Sequence, residues 1–108
     1  MSLIDSTELK EGGIFIHKYK ETDTNLTIMV ENKRNNNVVF TVDFEGSSNI
    51  KLKNSDGLHV TKTIGPFNST IIANIILQSN SNINTHYKYQ IKPPPKDMAK
   101  VEIAFEME

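Results

Sequence analysis

The sequence predicts an all-β fold, an antiparallel β-sandwich of about eight strands, and three observations predict it. Apolar and polar residues alternate in short segments roughly ten residues apart, the spacing of a sandwich or barrel. Clusters of Asn, Asp, Ser, Gly and Pro separate the segments, and their backbone preferences suit turns. Hydrophobic residues make up only 37% of the 108, so most strands should bury one face and show the other to water.

Taken in order, the stretch Asp5-Ser6-Thr7-Glu8 resembles a helix start that Gly12-Gly13 would halt, so residues 1–12 read as a flexible or short lead-in segment. Residues 13–108 read as one β-sandwich domain. Ile14 and Ile16 alternate with Phe15 and His17 in the first strand. Leu26, Ile28 and Val30 share a face in the second. The polar run Asn32-Lys33-Arg34-Asn35-Asn36-Asn37 then reads as a hairpin tip, returning through Val38, Phe40, Val42 and Phe44, the cleanest period-two signal in the chain.

A short strand follows at Ile50-Lys51-Leu52-Lys53, then the turn Asn54-Ser55-Asp56-Gly57 and a strand from Leu58 to Thr61. The run Ile71 to Leu77 is apolar on nearly both sides, which predicts a central strand or one covered on both faces. Tyr87, Tyr89 and Ile91 share the face of a later strand and read as core. Pro93-Pro94-Pro95 must end that strand, because proline donates no ladder hydrogen bond. Val101, Ile103, Phe105 and Met107 then alternate with Glu102, Ala104 and Glu106 in a last strand signal.

Composition excludes several function classes. A formal charge of -1 gives no broad field for attracting a phosphate backbone, which argues against nucleic acid as the main ligand. Without Cys the chain has no disulfide, thiolate nucleophile or sulfur-held zinc. No stretch has the length and apolarity of a transmembrane helix or signal peptide, which points to a soluble, intracellular domain, cytoplasmic by default. The Asn-X-Thr/Ser patterns at Asn25 and Asn68 read as chance matches in an Asn-rich chain.

Catalysis needs a nucleophile, a base and a group that orients the base. His17, His59 and His86 are the imidazoles, each expected on the solvent face of its strand, and no motif joins them to a serine. No catalytic residue, resident cofactor or metal site is expected, and the chain reads as a nonenzyme. Calcium is the alternative for Glu21, Asp23, Asp43, Glu45 and Asp56 near turns, although these are single or paired rather than densely clustered. For partner binding the candidates are Lys33, Arg34, Asn35 and Asn36 at the polar tip, together with an edge strand open to strand addition.

Residues 26–92 resemble the C-terminal domain of the small-optic-lobes type of atypical calpain, a family of intracellular cysteine proteases. The likeness is carried by Val30-Glu31-Asn32-Lys33, the region from Asp43 to Asn49, Gly57-Leu58, Thr63 before Pro66, and Ile75-Ile76-Leu77. It implies a noncatalytic accessory domain, regulatory or protein-binding, whose partner is the protease core of the same chain or another protein. The sandwich is expected to be immunoglobulin-like or calpain accessory-domain-like. The catalytic Cys, His and Asn of that family lie in a separate core. The alternatives are a calcium- or phospholipid-binding sandwich at a membrane surface, or an adhesion or trafficking module unrelated to proteases. The abundance of Asn, Lys and Ile is what AT-rich codons yield and suggests a protist source, and the Met-Ser-Leu opening suggests a domain excised from a longer protein.

Overall fold

The computed structural model describes residues 2–53 and 57–92. Eight strands fill them: β1 (Ser2–Glu8), β2 (Ile14–Thr22), β3 (Asn25–Asn32), β4 (Val38–Asp43), β5 (Ser48–Leu52), β6 (His59–Ile64), β7 (Ser69–Asn82) and β8 (His86–Ile91). They form two antiparallel sheets, one of five strands in the order β1-β2-β3-β7-β5 and one of three in the order β6-β4-β8. The β-sandwich expected from the alternation is therefore the fold. The alternating segment at 101–107, the proline triplet and most of the turn 54–57 lie outside the described residues.

Period-two burial builds the core. Ile14 and Ile16, Ile28 and Val30, and Val38, Phe40 and Val42 point inward from β2, β3 and β4, with Phe44, Leu52, Ile64, Ile72 and Ile75 completing the cluster. Phe40 and Phe44 are the largest fully buried side chains among the described residues, and Tyr89 of β8 stacks near Phe40 at 6.3 Å between ring centroids.

Four features depart from the sequence expectations. Residues 2–8 are not a lead-in but strand β1, paired along β2 from Ser2↔Lys20 to Glu8↔Phe15. Every residue of β1 is exposed, so it carries no hydrophobic period and is held by its ladder with β2. Gly12 and Gly13, at φ of +83° and +79°, belong to the β1–β2 connection instead of ending a helix.

The segment Asn32–Asn37 is not a hairpin tip. β3 is flanked in its sheet by β2 and β7, whereas β4 pairs with β6 and β8, so the chain crosses from one sheet to the other there. Both strands bury apolar faces in one core from opposite sides, and the polar segment turns the corner between them. The aliphatic run of β7 is central but is not covered on both sides. A bulge opposite Ile28/Met29 places Ile72 and Ala73 together inside and leaves Ile71 outside, because an extra residue reverses the alternation. Tyr87 is 37% exposed rather than core, since β8 is the edge of its sheet.

Candidate partner-binding surface

The corner that carries Lys33, Arg34, Asn35 and Asn36 is built around Asn32. Its fully buried amide donates to the carbonyls of Asn36 (2.7 Å), Ile64 (3.3 Å) and Gly65 (3.0 Å), and its Oδ1 accepts from the Arg34 N–H at 2.9 Å. One side chain thus satisfies backbone groups from two sides of the crossing. Arg34 turns back, its Nη1 donating to the carbonyls of Glu11 (3.3 Å) and Gly12 (3.1 Å). The Asn36 amide donates to the Lys92 carbonyl at 2.9 Å. Of the four candidates, only Lys33 and Asn35 face solvent freely, and the Lys33 ammonium lies 5.0 Å over the Phe15 ring. Arg34 and Asn36 serve the corner itself.

Phe67 stands beside this corner on the β6–β7 turn, where its N–H donates to the Arg34 carbonyl at 3.2 Å. It is 71% exposed and holds φ of +56°, a conformation that L residues seldom adopt.

The histidines separate. His17 lies on the outer face of the five-stranded sheet, half-buried, with Nδ1 2.7 Å from the Ser6 hydroxyl and Nε2 2.9 Å from Glu31 Oε1. A carboxylate only accepts, so Nε2–H donates to Glu31, and Nδ1 shares a hydrogen bond with the Ser6 hydroxyl. Hydroxyl, imidazole and carboxylate therefore form a chain across β1, β2 and β3. Acyl transfer also demands N–H donors around a reacting carbonyl and a site that excludes water, and these three groups lie on an open sheet face. They act as a polar cross-tie. The sequence concealed it because β1 has no strand period.

On the other sheet His59 and His86 flank Asp43 in register, with His59 Nδ1 4.0 Å from Asp43 Oδ2. Asp43 Oδ1 accepts from the Glu45 N–H at 2.8 Å, and Asp23 pairs with Lys20 at 3.2 Å. Among the described residues no group of three or more His, Cys, Asp or Glu side chains is placed to hold a metal ion. Likewise no helix among them is long and apolar enough to cross a membrane.

A second surface lies over the inner side of the five-stranded sheet, beside the connection that leads into β8. A one-residue bulge in β1 between Leu3 and Asp5 turns Ile4 toward the gap between the sheets. There Ile4, Lys18, Leu26, Ile28 and Ile75 of the five-stranded sheet line one side, and Ile83 and Thr85 of the β7–β8 connection another, around a groove of about 240 Å³. Ile4 is 56% exposed and Ile83 37%, so the groove opens to solvent.

Tyr87 stands on the inner face of β8, near Asp5. Burial, and then the Asp5 charge, push its hydroxyl above the ordinary tyrosine value. Farther along β8, the Tyr89 hydroxyl donates to Glu11 Oε1. That bond lowers the Glu11 carboxyl and raises the Tyr89 hydroxyl relative to their ordinary values.

The β8 backbone has a direction as well. Lys92 N–H donates to the Asn37 carbonyl at 2.8 Å, and the β4–β8 register continues as Val38↔Ile91 and Val39↔Gln90. In an antiparallel ladder, hydrogen-bonded pairs alternate with pairs that point away from each other. The amides and carbonyls of Tyr87, Tyr89 and Ile91 therefore face away from β4, along an edge that no described strand pairs. Inner-face aromatic rings and three residues of backbone that no described strand pairs coincide on β8. Residue periodicity gave the rings, but which strand forms the edge depends on long-range pairing.

No family model, no curated protein and no solved structure matches this chain.

Proposed function

We propose that this chain is a noncatalytic recognition domain that binds an extended segment of a partner protein by strand addition along the edge of β8 that no described strand pairs. The observation that supports it is the conjunction at β8: outward-facing backbone groups at Tyr87, Tyr89 and Ile91 on the strand whose inner face carries the Tyr87 and Tyr89 rings. Strand addition takes affinity from main-chain bonds and specificity from alternate side chains. Here the inner-face residues Tyr87, Tyr89 and Ile91 favour apolar residues in the partner, and the outer-face His86 and Lys88 favour acidic ones. The ligand is thus an extended segment alternating apolar and acidic residues.

The biological setting we favour is an accessory domain of a calpain-like cysteine protease, recruiting substrate or docking on the protease core. This setting rests on the sequence resemblance of residues 26–92, and reading the source transcript tests it. An upstream papain-like core with ordered Cys, His and Asn is the expected result, and a frame without one removes the protease from the proposal.

The binding reading is tested by titrating an eight-residue Val-Glu alternating peptide into the isotopically labelled chain. Saturable shifts at Tyr87, Tyr89 and Ile91 are expected. Tyr87→Pro leaves the β4–β8 ladder intact, because that amide faces outward, and removes one edge donor. A lost hydrogen bond of this kind weakens binding roughly tenfold. An edge that shows no shift overturns the proposal.

A further inference from the structure

We infer that the cleft between β6 and the first half of β7 binds a phosphate monoester with an apolar body, held through Lys62, Lys53, His59 and the Thr61 backbone N–H. The site is separate from the β8 edge, since β6 and β8 lie on opposite sides of β4.

The cleft follows from where strands end. β5 pairs with β7 as far as Leu52↔Ile75, with a last bond from the Lys53 N–H to the Asn74 carbonyl at 2.9 Å. Past that point the side of β7 turned from β3 meets no described strand, and β6 is itself an edge of the smaller sheet. Between these two edges lies a cleft of about 420 Å³, a volume suited to a small ligand.

Lys62 marks its chemistry. In the β4–β6 register Val60, Lys62 and Ile64 stand opposite Val42, Phe40 and Val38, so a lysine takes the middle place of an inward-facing row. Its stem spans to the other sheet, where Nζ donates to the Ile71 carbonyl at 2.9 Å. An ammonium has three N–H donors, and this bond uses one. An inward-pointing lysine also keeps an edge strand from pairing with another chain, but that role calls for no further donors around it. Here Lys53 borders the same cleft from the end of β5, and His59 from the start of β6. His59 has Asp43 beside it at 4.0 Å on the outer face, and no carboxylate of a described residue lines the cleft.

The backbone adds a fourth donor. The Phe44 N–H donates to the Leu58 carbonyl at 2.7 Å, so by alternation Val42↔Val60 and Phe40↔Lys62 are the hydrogen-bonded pairs of this ladder. The Thr61 N–H therefore faces away from β4, on the side of the cleft that Thr61 lines, while its hydroxyl is engaged with Thr41 at 2.9 Å. Donors thus come from both sheets and from the main chain. A phosphate monoester, doubly charged and with three peripheral oxygens, uses more of them than a carboxylate does. Val60 and the exposed Ile71 form an apolar wall beside them, which suits an aryl or alkyl body on the phosphate.

Titrating phenyl phosphate into the isotopically labelled full chain tests the site, with inorganic phosphate and benzoate as comparisons. Saturable shifts are expected at Thr61, Lys62 and Ile71, with a Kd of about 1 mM or below, and phenyl phosphate should be the tightest of the three. Lys62→Gln and Lys53→Gln should each weaken it roughly tenfold, the loss of one charged hydrogen bond. Lys20→Gln, on β2 outside the cleft, should leave it unchanged. Unmoved amide shifts at Val38, Phe40 and Val42 report intact β4 ladders in each variant, and Lys53, at the surface, supplies the comparison if Lys62→Gln does not fold.

A short phosphotyrosine peptide distinguishes the sources of such a group. Tighter binding than phenyl phosphate, with shifts extending to Thr63, identifies a phosphorylated protein, and equal or weaker binding identifies a small phosphate ester. Shifts that never saturate overturn the inference, and so do shifts that Lys20→Gln diminishes as much as Lys62→Gln. Benzoate binding as tightly as phenyl phosphate overturns the phosphate assignment, and inorganic phosphate doing so overturns the apolar body.

Discussion

Asn32 shows how much one polar side chain can decide. It is fully buried at the crossing between the sheets, and its four hydrogen bonds reach backbone groups of Arg34, Asn36, Ile64 and Gly65. Removing one partner from a buried hydrogen bond costs more than the bond's net worth, because the group left behind stays desolvated. Asn32→Ala is therefore expected to destabilise the chain by about 3 kcal/mol, read from urea unfolding, with Asn32→Asp scarcely better because a carboxylate cannot donate to carbonyls. A loss below about 1 kcal/mol would show that the corner does not depend on this amide. The exposed and equally polar Asn35 makes a good contrast. Nothing in a run of Asn residues distinguishes them; their burial comes from the neighbouring β6–β7 turn.

At the scale of elements, turns and bulges set where strands change partners. Gly46 follows β4 at φ of +88°, and a Cβ placed there would lie 2.7 Å from Asn84 Nδ2. The neighbouring atom is the end of a side chain and can move, so the backbone conformation supplies most of the cost. Gly46→Ala is expected to lower stability by about 1–2 kcal/mol without altering the fold, measured by thermal or urea unfolding; a neutral result would show that the turn readily takes another conformation. Opposite β3, the bulge at Ile72 explains why a run of aliphatic residues yields two adjacent buried positions and an exposed Ile71. β7 also outlasts its neighbours, pairing with β3 through its first half and β5 through its second. Such sharing is a property of pairing and leaves no period in the sequence.

Across the whole molecule, the Tyr89–Glu11 bond joins β8 to the β1–β2 connection and so ties the edge of one sheet to the other. Because the folded state holds the Glu11 carboxyl below its ordinary value, its contribution is complete above the unfolded carboxylate range. It is lost as pH falls from that range through the lowered folded value. The urea midpoint should accordingly fall on acidification more steeply in the unmodified chain than in Tyr89→Phe, and equal slopes would sever this link. By itself the sequence determined the strand class, most core positions and the alternating polar faces, because burial on one side of a pleated strand imposes a period of two on the residues themselves. Only the tertiary structure decided that residues 2–8 form a strand, that Asn32–Asn37 crosses between sheets, that Ser6, His17 and Glu31 meet, and that β8 is an edge. Each depends on which strands pair across long stretches of chain, and backbone hydrogen bonding, being common to nearly every residue, leaves no mark on residue identity.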